Sequence, residues 1–259
     1  ITIRPQPPAH SNRLNLVLDK RTGTNDDHAT RVREMFARIS GRYDLLNHLL
    51  SANIDKRWRK LVAKNLLPAL RSPDARALDV ACGTGDLSLA LVAATSARVT
   101  GLDFCRPMLE HAARKAAYGA DARCFFIEGD ALRLPFEDET FDAVSIAFGL
   151  RNLASLERGL SELLRVLKPG GRACILEFSK PIVPGFNALF QLYFTRVLPR
   201  IGGIISGSSS AYEYLPASVS RFPDQKRLAA MMTEAGFVEV EYRNLTGGIA
   251  AIHMGERAP

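Results

Sequence analysis

Residues 75–86, ARALDVACGTGD, restrict the fold more than any other stretch: a short apolar run, a carboxylate, then a tight turn of small residues. A strand of this kind, ending in glycines that open a helix, brings bare backbone to a nucleotide-like ligand at the edge of an open α/β sheet. Eighteen residues past Gly85 a second apolar run, RVTGLD, ends in Asp103. An acid at that strand end is placed to accept hydrogen bonds from ribose hydroxyls. A third run, ARCFFIEGDALRLPFED, contains Asp130-Ala131, a carboxylate and a backbone amide suited to an adenine edge. Together the three strand ends imply a nucleoside-carrying cofactor.

The turn chemistry narrows which nucleoside. The dinucleotide fingerprint G-x-G-x-x-G needs a third glycine, but Gly83 and Gly85 are followed by Ser88. Asp86 stands in the helix mouth, where it would repel a pyrophosphate and suit a cation. S-adenosylmethionine carries a sulfonium and an α-ammonium and fits that charge. The plainer alternative is that Asp86 only favours the helix N-terminus through the dipole. The candidate cofactor residues are Asp79, Gly83, Thr84, Gly85, Asp103, Phe104, Asp130 and Ala131. Strand, glycine turn and the two acids resemble the class I S-adenosylmethionine-dependent methyltransferases.

Strands are expected at 76–81, 98–103 and 123–128, then FDAVSIAFG and RACILEFS, with helices at 86–94, 106–117 and about 155–167 between them. The last of these helices is expected to stop at Lys168-Pro169-Gly170-Gly171. A helix at 223–235 and the strands VEVEYRN and GIAAIHMG close the chain. The expected fold is α/β, a doubly wound, seven-stranded, mostly parallel sheet with an antiparallel pair at its end and an N-terminal helical cap. Residues 1–27 read as a disordered basic arm, 28–72 as the cap with a break near Ser40-Gly41, and 75–259 as the core, interrupted by an apolar insertion at 181–206.

The formal charge is +7. It is unevenly placed: residues 1–76 hold 15 Lys+Arg against 7 Asp+Glu (+8), and residues 77–259 hold 19 against 20 (−1). No aromatic residues interleave with the arginines, so nucleic acid is not expected as a partner. Anionic lipid headgroups or plain solvent remain for the basic layer. Four scattered cysteines without C-x-x-C spacing read as small buried hydrophobes in a reducing compartment. No run of about eighteen apolar residues and no signal-peptide pattern is present, so no spanning helix is expected.

Three further runs carry a narrower resemblance: YDLLNHLLSANIDKRW (43–58), AFGLRN (147–152) and RVLKPGGRACILEFSKP (165–181). They closely resemble the ubiquinone/menaquinone biosynthesis C-methyltransferase family, except that Asp55 stands where many members have His. AYEYLPASVSRFP and GGIAAIHMG also look like this family, and the likeness spans roughly residues 28–257. The resemblance implies methyl transfer from S-adenosylmethionine, without a metal, to a ring carbon of a polyprenylated hydroquinone. Demethylmenaquinol is the expected acceptor, and the 2-methoxy-6-polyprenyl-1,4-benzoquinol of ubiquinone synthesis is the alternative. A non-catalytic S-adenosylmethionine-binding subunit is the competing class.

The same resemblance gives Arg151 and Asn152, just past the fourth strand, as catalytic candidates; Tyr43, in the N-terminal run, is the third, placed to bond the same quinol oxygen or cap the cofactor, with a packed core aromatic as the alternative. Arg151 would lower the phenol pKa as a fixed cation while water takes the proton, since a guanidinium does not act as a base; the plainer alternative is a pair with a surface carboxylate. The insertion FNALFQLYFTRVLPRIGGII suits a channel or membrane-facing lid for the prenyl tail. A cover for the sheet or a homodimer contact are the alternatives. The expected setting is cytoplasmic, with peripheral contact at the inner face of the membrane.

Overall fold

The computed structural model describes residues 23–42, 51, 53–118, 122–183 and 210–259. Five strands run parallel: β1 Arg76–Val80, β2 Arg98–Asp103, β3 Cys124–Glu128, β4 Phe141–Ala147 and β5 Leu167–Phe178. β6 Val238–Leu245 pairs antiparallel with β7 Ala250–Glu256, which is itself antiparallel to β5. The resulting seven-stranded order is β3-β2-β1-β4-β5-β7-β6, the mostly parallel sheet expected from the sequence. The helices are α1 Gly23–Ile39, α2 Ile54–Leu66, α3 Asp86–Ala94, α4 Arg106–Tyr118, α5 Leu156–Arg165, α6 Ser210–Arg221 and α7 Gln225–Glu234.

The central strands are apolar on both faces because both faces are covered. Along β5, Ala173 and Ile175 join one buried cluster while Cys174 and Leu176 join the other, as a two-residue period requires. The first cluster holds Phe141 and Ile146 against Leu160 and Leu163 of α5 and Leu228 and Met232 of α7. The second sets Trp58, Val62 and Leu66 of α2 and Leu91 of α3 against Val99, Leu176 and Ile252. Among the described residues no helix is long and apolar enough to cross a membrane.

Strand order reverses between β1 and β4, which opens the crevice where such sheets take ligands. The chain leaves both strands through a left-handed, non-glycine residue: Ala81 at φ +50° and Phe148 at φ +58°. Backbone bonds secure both bends, from Cys82 N–H to the Leu102 carbonyl (3.0 Å) and from Phe148 N–H to the Leu176 carbonyl (2.8 Å). Strain of this kind is retained where the surroundings over-determine it, and it gathers at ligand sites.

Two boundaries differ from expectation. α1 begins at Gly23, inside the segment read as a disordered arm. The expected stop at residues 168–171 is instead an irregularity within β5, which pairs at Leu167 with Phe141 and resumes at Arg172 with Ala143. Backbone exchange with Arg257 explains it: Gly170 N–H donates to the Arg257 carbonyl (3.0 Å) and Arg257 N–H to the Gly171 carbonyl (2.9 Å). Tyr43, residues 1–22 of the arm and residues 184–206 of the insertion lie outside the described residues.

Candidate cofactor and acceptor site

A cavity of about 410 Å³ occupies the crevice. At one end Asp103 and Phe104 meet Asp130 and Ala131, four of the residues singled out from the strand ends. Asp103 Oδ2 accepts from Gly83 N–H and its Oδ1 from Cys105 N–H, both at 2.8 Å. The carboxylate therefore ties the turn after β1 to the end of β2. Burial raises the Asp103 pKa while the backbone donors pull it back. Asp130 Oδ1 accepts from Leu132 N–H at 2.9 Å, shaping its own turn. Glu128 also lines the cavity and holds Arg33 of α1 at 2.8 Å, so α1 walls this end of it.

Beside the main cavity lies a recess of about 30 Å³ lined by Arg59, Asp79, Gly83, Thr84 and Asp86. Asp79 is 1% exposed. Its Oδ2 accepts from the Ser88 hydroxyl at 2.6 Å and its Oδ1 from the Ser145 hydroxyl at 3.0 Å. Ser88 occupies the position where a dinucleotide turn has its third glycine, and its hydroxyl is one of the two that satisfy Asp79. Burial pushes Asp79 up to about 6, against the two hydroxyls and the nearby Arg59 charge. Lys115 Nζ donates to Thr84 Oγ1 (3.1 Å) and Asp86 Oδ1 (2.6 Å), so the charge of Asp86 is shared with the protein's own cation.

Gly85 lines neither space. It sits at φ +82° as the N-cap of α3, and a Cβ there would come within 3.0 Å of Ala112 and Phe126. Its part is to let the turn close against α4 and β3.

The other end of the cavity is formed by Ala147, Phe148, Gly149 and Asn152. Asn152 Nδ2 donates to the Phe148 carbonyl at 3.4 Å, and its Oδ1 accepts from the Tyr214 hydroxyl of α6 at 3.1 Å. Tyr214 also walls a second cavity of about 450 Å³, with Arg31, Arg38 and Arg221 around it. Burial raises the Tyr214 pKa, and Arg151 acts against that rise.

Arg151 does not line the main cavity. Its side chain is 6% exposed and donates through Nη1 to Glu177 Oε1 at 2.7 Å and to the Phe148 carbonyl at 2.5 Å. Its guanidinium lies over the Phe178 ring at 5.3 Å. Burial raises the Glu177 pKa, countered by Arg151 and by the N–H groups of Phe178 and Arg151. The pair pins the loop after β4 to the end of β5.

Several lining residues were not anticipated from sequence. Glu128 sits two residues before Asp130 at the same strand end, so strand-end logic could have included it. Tyr214 lies in a run already noted, but nothing local assigns it a partner. Arg33, Phe36 and Arg59 reach the site only through helix packing, which leaves no local signal.

The comparisons agree with this geometry. Among solved structures, the [4+2]-cyclase SpnF superposes with a TM-score of 0.67 at 19% identity, over 89% of this chain and 96% of that one. A SAM-dependent methyltransferase from Thermotoga maritima gives 0.59 at 19% identity, over 86% and 98%. These establish the fold. A demethylmenaquinone methyltransferase of Thermus thermophilus is 54% identical over 225 residues, 86% of this chain and all of that one. A ubiquinone/menaquinone biosynthesis C-methyltransferase UbiE of Geobacter sulfurreducens is 46% identical over 231 residues, 88% of each. With a family model matching residues 23–257 in addition, the chain belongs to the ubiE/COQ5 methyltransferase family.

Proposed function

We propose that this methyltransferase moves a methyl group from S-adenosylmethionine to a ring carbon of a polyprenylated hydroquinone, with demethylmenaquinol as the acceptor. The observation that carries the proposal is one continuous cavity running from Asp103 and Asp130 to Asn152. It lies in a chain 54% identical to a demethylmenaquinone methyltransferase over that protein's full length. The residues fit the cofactor: about 410 Å³ is within the usual range of roughly 300–1,000 Å³ for a ligand pocket. Acids stand at the ribose and adenine ends, and a recess bearing both signs of charge adjoins them.

When bound, S-adenosylmethionine supplies the methyl as a sulfonium, whose sulfur keeps the bonding pair as the methyl leaves. The ring carbon forms the new bond and then loses its proton, which restores the aromatic hydroquinone. Carbon is a poor nucleophile until a neighbouring phenol ionises, so the protein must favour the phenolate and hold the carbon about 3–3.5 Å from the methyl.

In this proposal Asn152 presents its amide to the quinol oxygen while Tyr214 fixes the amide's orientation. Arg151 works as a positioning cation: it holds the Phe148 carbonyl and therefore the loop that carries Asn152. The proton leaves to water, because the guanidinium offers no lone pair. Phe36, Phe148 and Leu153 supply the apolar walls that exclude bulk solvent. Tyr43 and the apolar insertion are proposed to complete the quinol and prenyl sides, with the insertion meeting the membrane surface.

The methoxy-benzoquinol of ubiquinone synthesis is the second acceptor, favoured by the relatives named for both pathways. Transfer from methyl-labelled S-adenosylmethionine to each reduced precursor decides. Label in demethylmenaquinol supports the proposal, and label only in the benzoquinol replaces the acceptor. Label in neither, with S-adenosylmethionine still bound, rejects the quinol assignment.

A further inference from the structure

We infer that Arg59 receives the carboxylate at the amino-acid end of the cofactor, and that Asp55 holds it in place to do so. The inference rests on the S-adenosylmethionine proposal above and names the residue that recognises the ligand's far end. A zwitterionic amino-acid group needs a cation and an anion side by side. The small recess has both: Arg59 lines it together with Asp79 and Asp86, and Arg59 Nη1 lies 3.9 Å from Asp86 Oδ2.

The rest of the surroundings fixes Arg59 without closing it off. Asp55, one turn earlier on α2, pairs with its Nη1. Asp55 is itself steadied by the Ser51 hydroxyl, which donates to its Oδ1 at 2.6 Å. The guanidinium lies over the Phe148 ring at 5.7 Å, at the junction between the recess and the main cavity. A guanidinium presents five donors in a rigid fork, so it can keep one carboxylate and grip another.

Lys115 is the other cation nearby, but it does not line the recess and is held by Asp86 and Thr84. Asp55 thereby acquires a purpose: it keeps a ligand-facing arginine oriented inside a buried site. Arg59 is 9% exposed and Asp55 3%.

The test compares ligands that differ only at that end. Dissociation constants are measured by calorimetry for S-adenosylmethionine, its decarboxylated form, S-adenosylhomocysteine and 5′-methylthioadenosine. The proteins are wild type, Arg59→Gln, Arg59→Lys and the double variant Asp55→Asn/Arg59→Gln, which removes the Asp55 charge together with its partner. Losing a charged hydrogen-bond partner predicts a drop of about 10- to 100-fold for the two carboxylate-bearing ligands.

The decarboxylated ligand and 5′-methylthioadenosine should stay within about twofold of wild type, which also shows that the variants are folded. Arg59→Lys should fall between, because a point charge cannot serve two carboxylates as a fork does. Equal losses for all four ligands, or no loss for any, would overturn the assignment to Arg59. Wild-type protein that bound none of the four would instead overturn the cofactor reading, and this inference with it.

Discussion

Arg59 and Arg151 are both buried, both paired with a carboxylate and both set against an aromatic ring, Arg59 over Phe148 and Arg151 over Phe178. The two rings touch, with centroids 4.8 Å apart. Yet the arginines face different tasks. Arg59 is paired within one helix, to a residue four positions away, and still lines the recess beside the cofactor turn. Arg151 is paired across 26 positions, from the loop after β4 to β5, and lines no part of the main cavity. A local pair leaves a cation available to a ligand, whereas a long-range pair uses its cation to hold two segments together. On the functional proposal, the contrast separates recognition of the cofactor from shaping of the acceptor end.

The comparison breaks most readily at Glu177. Glu177→Gln strands the Arg151 charge in the core, and removal of one partner from a buried pair costs about 3–5 kcal/mol. Chemical denaturation should show that loss, with S-adenosylhomocysteine affinity preserved in the protein that remains folded. Unchanged stability would mean that the pair does not hold the loop.

Asn152→Ala attacks the ligand-facing part of the same loop. Loss of one positioned donor costs about 100- to 1,000-fold in kcat, and cofactor affinity should not move. Rate measurements with a reduced acceptor, run beside calorimetry, check both halves. Paired with Arg59→Gln, which should move affinity first, this variant sharpens the division between the two ends.

Asp79→Asn probes the cofactor side through pH. Burial raises Asp79 from an ordinary 3.8 to about 6, so the folded protein holds this proton more tightly than the unfolded chain. The associated stability is complete below 3.8 and is lost as pH rises through about 6. At pH 7 the variant should therefore be more stable than wild type without ligand, by up to about 3 kcal/mol, and the gain should vanish near pH 3.5. His253, lowered to about 4 by burial, works in the opposite sense: its contribution is lost as pH falls from 6.5 toward 4. Because His253 is common to both proteins, the difference between their unfolding curves isolates Asp79. A pH-independent difference would contradict the buried ionisation.

The smallest effect is expected at Tyr214. Tyr214→Phe removes one neutral hydrogen bond to Asn152, worth about 0.5–1.5 kcal/mol, and should lower kcat by a few-fold to about tenfold with cofactor affinity intact. No change in rate would detach Tyr214 from the acceptor end.

The end proposed for the cofactor was far more legible in the sequence than the end proposed for the acceptor, for a physical reason. Asp79, Asp103 and Asp130 lie at or just beyond the ends of successive parallel strands, and sheet geometry gathers such ends at one edge. Even Ser88, which first served only to exclude a dinucleotide turn, reports on the site through its bond to Asp79. Gly85 belongs to the same motif but acts on packing, a distinction that motif spacing does not carry. The end proposed for the acceptor joins the loop after β4, the end of β5 and α6. Arg151 was legible as a residue past β4, but its partner Glu177 lies on another strand and its orientation depends on that partner. Tyr214 and Arg59 reach the site only once the helices have packed.

The most direct test of the central claim is methyl transfer to demethylmenaquinone presented in reduced and in oxidised form, with methyl-labelled S-adenosylmethionine and wild-type protein. The account predicts label in the hydroquinone alone, because only the reduced ring has a phenol oxygen whose ionisation activates carbon. Label in the oxidised quinone at a comparable rate, or in neither form while S-adenosylmethionine binds, would contradict it.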